Sequence, residues 1–140
     1  MGNVNTIKEL FVWSDVLYSV NNKTIDAQHK KLINILNKLY TLYIGGDYSQ
    51  EDIADVLSEL KDYTVYHFNT EEKLFKEKGY PQIDEHKAIH ANFVTEINNF
   101  VDSYNKNPKL LTMKIFTFLQ KWLKGHILGD DKKYVPWLKD

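Results

Sequence analysis

The spacing of apolar and polar residues predicts that most of this chain is helical. From residue 24 onward, buried-type side chains recur at intervals of three and four residues, which places each series on one face of an α-helix. The four stripes are Ile25, His29, Leu32, Leu36, Leu39, Tyr43; Ile53, Leu57, Leu60, Thr64, His67, Glu71, Leu74; Ile83, His86, His90, Phe93, Ile97, Phe100, Tyr104; and Leu111, Ile115, Leu119, Trp122, His126. Nowhere does the sequence show the strict alternation and tight turns of a strand hairpin.

Short breaks separate the stripes, and each break carries residues that end or start helices. Gly45-Gly46 ends the first helix, and Ser49 begins a segment that resembles a capping box. Gly79 ends the second helix, Pro81 precedes the third, and Pro108 takes the first position of the fourth. Short connections force neighbouring helices to run antiparallel. The pattern therefore predicts an all-α fold, an up-down-up-down antiparallel four-helix bundle.

The chain divides into three predicted parts within one domain of residues 1–140. Residues 1–23 form an N-terminal arm, residues 24–129 the four-helix bundle, and residues 130–140 a C-terminal tail. The arm carries Phe11, Trp13 and Leu17, which are too apolar for a free tail. We expect the arm to pack on the outside of the bundle.

Composition excludes several classes of function. The formal net charge is −1, with both signs mixed along the chain, so no basic face predicts a nucleic-acid partner. Cysteine is absent, which excludes thiolate metal sites, disulfides and a cysteine nucleophile. No apolar run is long enough to span a membrane, and no signal segment opens the chain. We expect a cytoplasmic protein with no membrane or nucleic-acid partner, and we expect a monomer.

The candidate chemistry lies in the histidines. All five, together with Glu71, fall on the inner stripes: His29, His67, His86, His90 and His126. Burying an imidazole or a carboxylate without a partner is costly. A single core histidine is usually a hydrogen-bonded core residue, but five of them with a carboxylate in an aliphatic and aromatic core predict a shared ligand.

The heights of these residues along the bundle agree with that prediction. His29, His67, His90 and His126 each lie 15 to 18 residues from the loop at the same end of the bundle. At about 1.5 Å per residue these offsets differ by only ~3–5 Å, so the donors fall near one level. The site should lie near the end where the second and third helices meet.

Five imidazoles and two carboxylates exceed the needs of one metal ion and suit two ions bridged by carboxylates. Nitrogen and oxygen donors without sulfur favour iron, manganese or zinc over copper(I). The second carboxylate is Asp130 or Asp131, and spacing alone does not choose between them. Asp131 lies five residues after His126, about 140° around an α-helix. It would reach the site only if the helix continues, or bends near Gly129, and the carboxylate leans inward.

The motifs resemble those of the hemerythrin family, and of bacterial hemerythrins in particular. A lone His29 is followed by HxxxE, HxxxH and HxxxxD in successive helices, at His67 to Glu71, His86 to His90 and His126 to Asp131. The flanking segments IDAQHKKLINILNKL, HFNTEEKLFKEKGYP, EHKAIHANF and WLKGHILGDDKKY are similar as well. The resemblance covers residues 11–138, and each motif alone is weak whereas all in this order are specific.

The resemblance implies two iron ions per chain, joined by a solvent-derived oxo or hydroxo bridge, with dioxygen as their ligand. It implies that His86, His90 and His126 hold one iron, that His29 and His67 hold the other, and that Glu71 and Asp131 bridge them. Dioxygen would bind at an open position on the second iron. An apolar pocket is also implied, lined by Leu32, Phe68, Trp122, Leu123 and Ile127, although the same residues would pack the core in any case.

Three functions remain open at this point. The first is reversible dioxygen binding for carriage, storage or delivery, which is not enzymatic. The second is a di-iron oxidase, peroxidase or nitric-oxide-handling enzyme on the same site. The third is an oxygen sensor or iron-handling protein. An unidentified reductase or an oxygen-consuming enzyme would be a further partner.

Overall fold

In the computed structural model, four helices in chain order form the antiparallel bundle that the sequence predicts. The structure describes residues 11–46, 49–110 and 113–140. The elements are α1 (Asp15–Tyr18), α2 (Lys23–Gly45), α3 (Gln50–Lys78), α4 (Ile83–Lys106), a 3-10 turn (Pro108–Leu110), α5 (Met113–Gly125), a π-helix (His126–Asp130), a second 3-10 turn (Asp131–Tyr134) and α6 (Val135–Leu138).

The helix boundaries of α2 and α3 follow from their terminal residues. Asn22 accepts a hydrogen bond from the backbone N–H of Ile25 and so caps α2. The predicted capping box of α3 is confirmed, because the side chain of Ser49 accepts from the N–H of Asp52 while the Asp52 carboxylate accepts from the N–H of Ser49. Gly79 ends α3 with φ +72°, a left-handed conformation that glycine adopts without strain.

The end of the fourth helix differs from the prediction. We expected one α-helix from Pro108 to residue 129, but Pro108–Leu110 form a 3-10 turn, and the described part of α5 runs from Met113. The α-helix then stops at Gly125 and continues as a π-helix. The predicted tail is also helical and packed, with Tyr134 and Leu138 fully buried. The side chain of Leu111, which we placed on the fourth stripe, lies outside the described residues.

The described part of the N-terminal arm lies against the bundle. The backbone N–H of Phe11 donates to the Asn37 side chain of α2, and the Asn37 amide donates back to the Phe11 carbonyl. Phe11 and Tyr18 are buried, whereas Val16 is exposed. Residues 1–10 of the predicted arm lie outside the described residues. This packing covers one side of the bundle next to the π-helix.

The apolar core has two parts, separated by a polar layer. The smaller part lies at the end where α3 meets α4 and includes Ile25, Phe75 and Tyr134. The larger part fills the rest of the bundle and includes Leu32 and Phe93. The histidines lie between these two groups along every long helix, so the site is enclosed by apolar side chains on both sides. Among the described residues, no helix combines the length and apolar character needed to cross a bilayer.

Candidate metal centre

Seven buried donors from all four long helical segments meet in the polar layer. They are His29 from α2, His67 and Glu71 from α3, His86 and His90 from α4, His126 from the π-helix and Asp131 just after it, and none is more than 3% exposed. The four-residue spacing within α3 and within α4 places both members of each pair on one helix face. The structure therefore brings together every residue that the sequence proposed as a metal ligand.

The donors fall into two groups that overlap. One contains Glu71, His86, His90, His126 and Asp131, and the other contains His29, His67 and Glu71; within each group the donor atoms all lie within 4.8 Å of one another. We call these the three-histidine group and the two-histidine group. Glu71 belongs to both, which is the arrangement that a bridging carboxylate requires.

The two carboxylates span the gap between the groups. Oε1 of Glu71 lies 3.1 Å from Nε2 of His90, whereas Oε2 lies 3.6 Å from Nε2 of His67 and 3.7 Å from Nε2 of His29. Asp131 makes the corresponding contacts, with Oδ2 3.1 Å from His29. Its Oδ1 lies 2.9 Å from Nε2 of His86 and 3.1 Å from Nε2 of His126. Each carboxylate thus presents one oxygen to each group.

Several of these donor atoms have no hydrogen-bond partner. In the described part of the chain, buried atoms without a partner include both ring nitrogens of His29, Nε2 of His67, Nε2 of His86, Oε1 of Glu71 and both carboxylate oxygens of Asp131. Leaving such groups unpaired costs about 1–3 kcal/mol each. A cation in the layer would satisfy them together, and this nitrogen and oxygen set suits iron, manganese or zinc. The residues therefore fit a metal site.

The π-helix explains how Asp131 reaches the site from five residues beyond His126. The backbone N–H of Asp131 donates to the carbonyls of His126 and Ile127, and the first of these bonds closes a turn over five residues rather than four. That wider turn places Asp131 almost directly above His126 along the helix. Of the two alternatives that the sequence left open, the helix continues past His126, and it does so as a π-turn.

Asp130, which the sequence left as an alternative, has a different place. Its Oδ2 accepts a hydrogen bond from Nδ1 of His126 at 2.9 Å, on the side of the ring that faces away from the other donors. Asp131 is fully buried within the cluster. The two neighbouring carboxylates thus lie on opposite sides of the same imidazole.

Two further residues hold imidazole rings in the same way, and the sequence analysis missed them. Nδ1 of His67 lies 2.8 Å from Oε1 of Gln28, and Nδ1 of His90 lies 2.9 Å from Oε2 of Glu72. These acceptors fix a proton on Nδ1 and leave the Nε2 lone pair directed into the cluster. Their adjacency to His29 and Glu71 in the sequence was a signal, but it did not reveal which ring each would contact.

The carboxylates control protonation in the metal-free cluster. Burial alone would lower the pKa of His29 and His126, but Asp131 with Glu71 raises the pKa of His29 to about 9, and Asp131 with Asp130 raises that of His126 to about 10. Burial lowers the pKa of His67 to about 3. Burial opposes ionisation of Asp131, yet the neighbouring imidazoles, His126 foremost, hold the pKa of Asp131 well below its usual range. In the metal-free protein, protonated His29 and His126 therefore contact the ionised Asp131, whereas His67 is neutral.

An apolar cavity of about 20 Å³ adjoins the histidines, and four of the five expected pocket residues line it: Leu32, Phe68, Trp122 and Leu123. Leu36, Leu60, Thr64, Phe93 and Leu119 complete its lining. Ile127 is fully buried but lies outside this lining. The ring of Phe68 stacks on His90 with centroids 3.7 Å apart, and Trp122 stacks on His126 at 4.5 Å. Two residues of the cavity lining, Phe68 and Trp122, therefore contact the rings of His90 and His126.

Tyr134 is a third residue that the sequence analysis did not place at the site. It is fully buried, and its hydroxyl donates to Oε2 of Glu71 at 2.5 Å. Burial and the nearby carboxylates raise the pKa of Tyr134 well above its usual value, so the phenol keeps its proton. The sequence placed this residue in a tail, and only the packed C-terminal turn brings it to Glu71.

Comparison with protein families identifies one match along almost the whole chain. The model of the hemerythrin HHE cation binding domain matches residues 20–138. This range contains all seven donors and the residues that contact their rings.

Known proteins give a consistent result. The chain is 32% identical to a bacteriohemerythrin from Stenotrophomonas maltophilia over 93% of this chain and 82% of that protein, and 31% identical to one from Clostridium acetobutylicum over 90% and 99%. Among solved structures, a wild-type hemerythrin crystal structure superposes with a TM-score of 0.85 at 29% identity, covering 94% of this chain and 99% of that one.

Proposed function

The chain belongs to the hemerythrin family, and on that basis we propose that it binds dioxygen reversibly at a non-haem di-iron centre, for carriage, storage or delivery. The observation that carries this function is the pair of buried donor groups that share Glu71. Two groups with a common carboxylate suit two ions held side by side. Membership of a family with bacteriohemerythrins favours iron over manganese and zinc, which the donor set alone would also accept.

The ligand roles follow the two groups. His86, His90 and His126 would hold one iron, His29 and His67 the other, and Glu71 and Asp131 would bridge them, with a solvent-derived oxo or hydroxo bridge. When bound, the two ferrous ions would supply one electron each to dioxygen. Two histidines and two carboxylate oxygens leave the second position with fewer protein donors than the first, so that position is the one open to an external ligand.

The residues around the ligands keep the rings in place. Gln28, Glu72 and Asp130 accept hydrogen bonds from the Nδ1 atoms of His67, His90 and His126. Each contact fixes the tautomer in which Nε2 is free to bind a metal. The rings of Phe68 and Trp122 pack flat on His90 and His126 and restrict their rotation.

The cavity keeps water and acids away from the bound ligand. None of the residues lining it is ionisable. Its single hydroxyl, that of Thr64, donates its proton to the carbonyl of Leu60. A dry, uncharged lining slows displacement of the bound ligand by water and disfavours catalytic turnover. This supports a binding role rather than an enzymatic one, with Leu32, Phe68, Trp122 and Leu123 lining the cavity and Ile127 buried in the same apolar core.

In this function the chain acts as a cytoplasmic monomer whose main ligand is dioxygen. A reductase would restore the ferrous state after oxidation, and an oxygen-consuming enzyme would receive the dioxygen that is released. The proposed function involves no nucleic-acid or membrane partner.

Anaerobic reconstitution tests this function. Metal-free protein is loaded with ferrous iron, the iron per chain is counted, and the visible spectrum is recorded through alternating oxygen and vacuum. We expect about two irons per chain and an absorption band that develops with oxygen and fades when oxygen is withdrawn. One-way oxidation would contradict oxygen carriage and favour an oxidase or a sensor. One iron or none would contradict the di-iron assignment itself.

A further inference from the structure

We propose that Tyr134 tunes the two-histidine metal position through its hydrogen bond to Glu71, and thereby sets how strongly that position binds an external ligand. This inference rests on the proposed di-iron function and adds a positioning residue to it. Among the donors of the two groups, the hydroxyl of Tyr134 contacts only Glu71. Its influence on a metal would therefore pass through that carboxylate.

The phenol is held rigidly at its place. Tyr134 is fully buried in the 3-10 turn Asp131–Tyr134 that follows the π-helix. Its ring packs against Phe75, His86 and Tyr80, with centroids 5.2, 5.6 and 6.2 Å away. Because the ring is enclosed on several sides, the hydroxyl has one direction in which to donate, toward Oε2 of Glu71.

The oxygen that receives this hydrogen bond is the one that faces the two-histidine group. Oε2 of Glu71 lies 3.6 Å from Nε2 of His67 and 3.7 Å from Nε2 of His29. The other oxygen, Oε1, lies 3.1 Å from Nε2 of His90 in the three-histidine group. The phenol therefore acts on one side of the bridge only.

The contrast within the described residues is sharp. Oε1 of Glu71 and both oxygens of Asp131 have no hydrogen-bond partner. Among the described residues, only Oε2 of Glu71 accepts a hydrogen bond from a residue outside the two donor groups. The other three carboxylate oxygens contact only Nε2 atoms of the histidines, which would bind the metals instead. The hydrogen bond thus makes the two positions electronically unequal beyond their difference in histidine number.

A carboxylate oxygen that accepts a hydrogen bond is a weaker donor to a metal. A metal bound there keeps more of its Lewis acidity, so it binds an external anion more strongly and favours its reduced, less charged state. It is also held less tightly by the protein. Removing the hydroxyl should reverse all three properties at the two-histidine position.

The test compares Tyr134→Phe with Tyr104→Phe. Tyr104 is also a buried tyrosine, but its hydroxyl donates to the backbone carbonyl of Gln50 at the opposite end of the bundle. Both variants keep the ring and lose one hydroxyl. For each protein we would measure iron per chain, the affinity of the di-ferric form for azide by visible titration, and the midpoint potential.

We expect Tyr134→Phe to keep about two irons per chain but to bind azide about 10-fold more weakly, with a more negative midpoint potential. Tyr104→Phe should match the unmodified protein in all three. Cobalt(II) titration of the metal-free protein gives a second readout, in which the second equivalent should bind more tightly to Tyr134→Phe than to the unmodified protein.

Two results would overturn the inference. Unchanged azide affinity and potential at full iron content would show that the hydrogen bond does not tune the metal. Loss of one iron, or weaker binding of the second cobalt, would show that Tyr134 merely supports the structure of Glu71. Neither result bears on the proposed oxygen binding, which fails only if the unmodified protein lacks two irons or oxidises irreversibly.

Discussion

The two donor groups differ in what lies behind their imidazoles. In the three-histidine group, His90 and His126 donate their Nδ1 protons to the carboxylates of Glu72 and Asp130. In the two-histidine group, His67 donates to the neutral amide oxygen of Gln28. Nδ1 of the remaining ring in that group, His29, has no hydrogen-bond partner in the described part of the chain.

This difference indicates that the two donor groups have different roles in the proposed centre. A carboxylate behind an imidazole makes the ring a stronger donor than an amide does, so the three-histidine group is built to hold its metal firmly. The two-histidine group has fewer and weaker donors and so leaves coordination open to an external ligand. In the proposed di-iron centre, the three-histidine group would hold its metal firmly and the two-histidine group would bind the external ligand.

Removing the residue that joins the two groups should have the largest effect. Glu71→Ala deletes the carboxylate that belongs to both. We expect iron content to fall from about two per chain to well below about one, because each position loses a donor and the site loses one negative charge. Metal analysis after reconstitution measures this.

Glu77→Ala is the matched control for Glu71→Ala, since Glu77 is exposed on the same helix and lies outside both groups. It should retain full iron content. If Glu71→Ala also retained two irons, Glu71 would not be the shared ligand.

Deleting one histidine from each group should separate the two positions. We expect His29→Ala to keep about one iron, in the intact three-histidine group, and to lose the reversible oxygen response. His126→Ala damages the anchoring position and should retain less iron than His29→Ala. Iron analysis with oxygen cycling checks both. Equal iron content in the two variants would contradict the proposed inequality.

The protonation of the cluster predicts how metal affinity changes with pH. The raised pKa values of His29, about 9, and His126, about 10, mean that both rings are protonated in the metal-free protein at neutral pH. A metal must displace these protons. Apparent affinity should therefore rise with pH, up to about tenfold per pH unit for each proton released.

Calorimetric titration with zinc in buffers of different ionisation enthalpy counts the protons that metal binding releases. A metal affinity that stays constant between about pH 6 and about pH 8 would contradict the raised pKa values.

The stability of the metal-free protein should fall as the pH rises, whereas its metal affinity should rise. Both rings titrate above the ordinary 6.5, so the stability from their carboxylate contacts is complete below that pH and is lost as the pH rises toward 9 and 10.

Replacing the residues that accept hydrogen bonds from the imidazole Nδ1 atoms should have smaller effects on metal affinity, and these effects should be unequal. Glu72→Gln or Asp130→Asn should weaken metal binding about 10-fold or more by removing a charge behind a ring of the three-histidine group. Gln28→Leu, which removes a neutral acceptor, should weaken it less. Competition with a chelator measures these affinities. A larger loss of metal affinity in Gln28→Leu than in Glu72→Gln would contradict the proposed difference between the two groups.

Much of this architecture could be predicted because it depends on local pattern. The three- and four-residue spacing places His67 with Glu71 and His86 with His90 on inner faces. Ser49 starts α3 and Gly79 ends it, as their capping chemistry predicts. The metal-ligand assignment itself stays a prediction until a metal is measured.

The remaining features depend on tertiary packing. The π-turn after Gly125 contains a hydrogen bond between residues five apart, which is rare and which residue spacing does not reveal, so spacing alone left Asp130 and Asp131 as alternatives. The contact of Tyr134 with Glu71 joins residues 63 apart in the sequence. Gln28 could be read as the neighbour of His29, yet it contacts His67 on another helix.

The most direct test is an anomalous difference map, recorded at the iron absorption edge from crystals of the ferrous-loaded protein. We expect two peaks in the polar layer, one bound by His86, His90 and His126 and the other by His29 and His67, with Glu71 and Asp131 touching both. A single peak, or two peaks that share neither carboxylate, would contradict the paired and unequal centre.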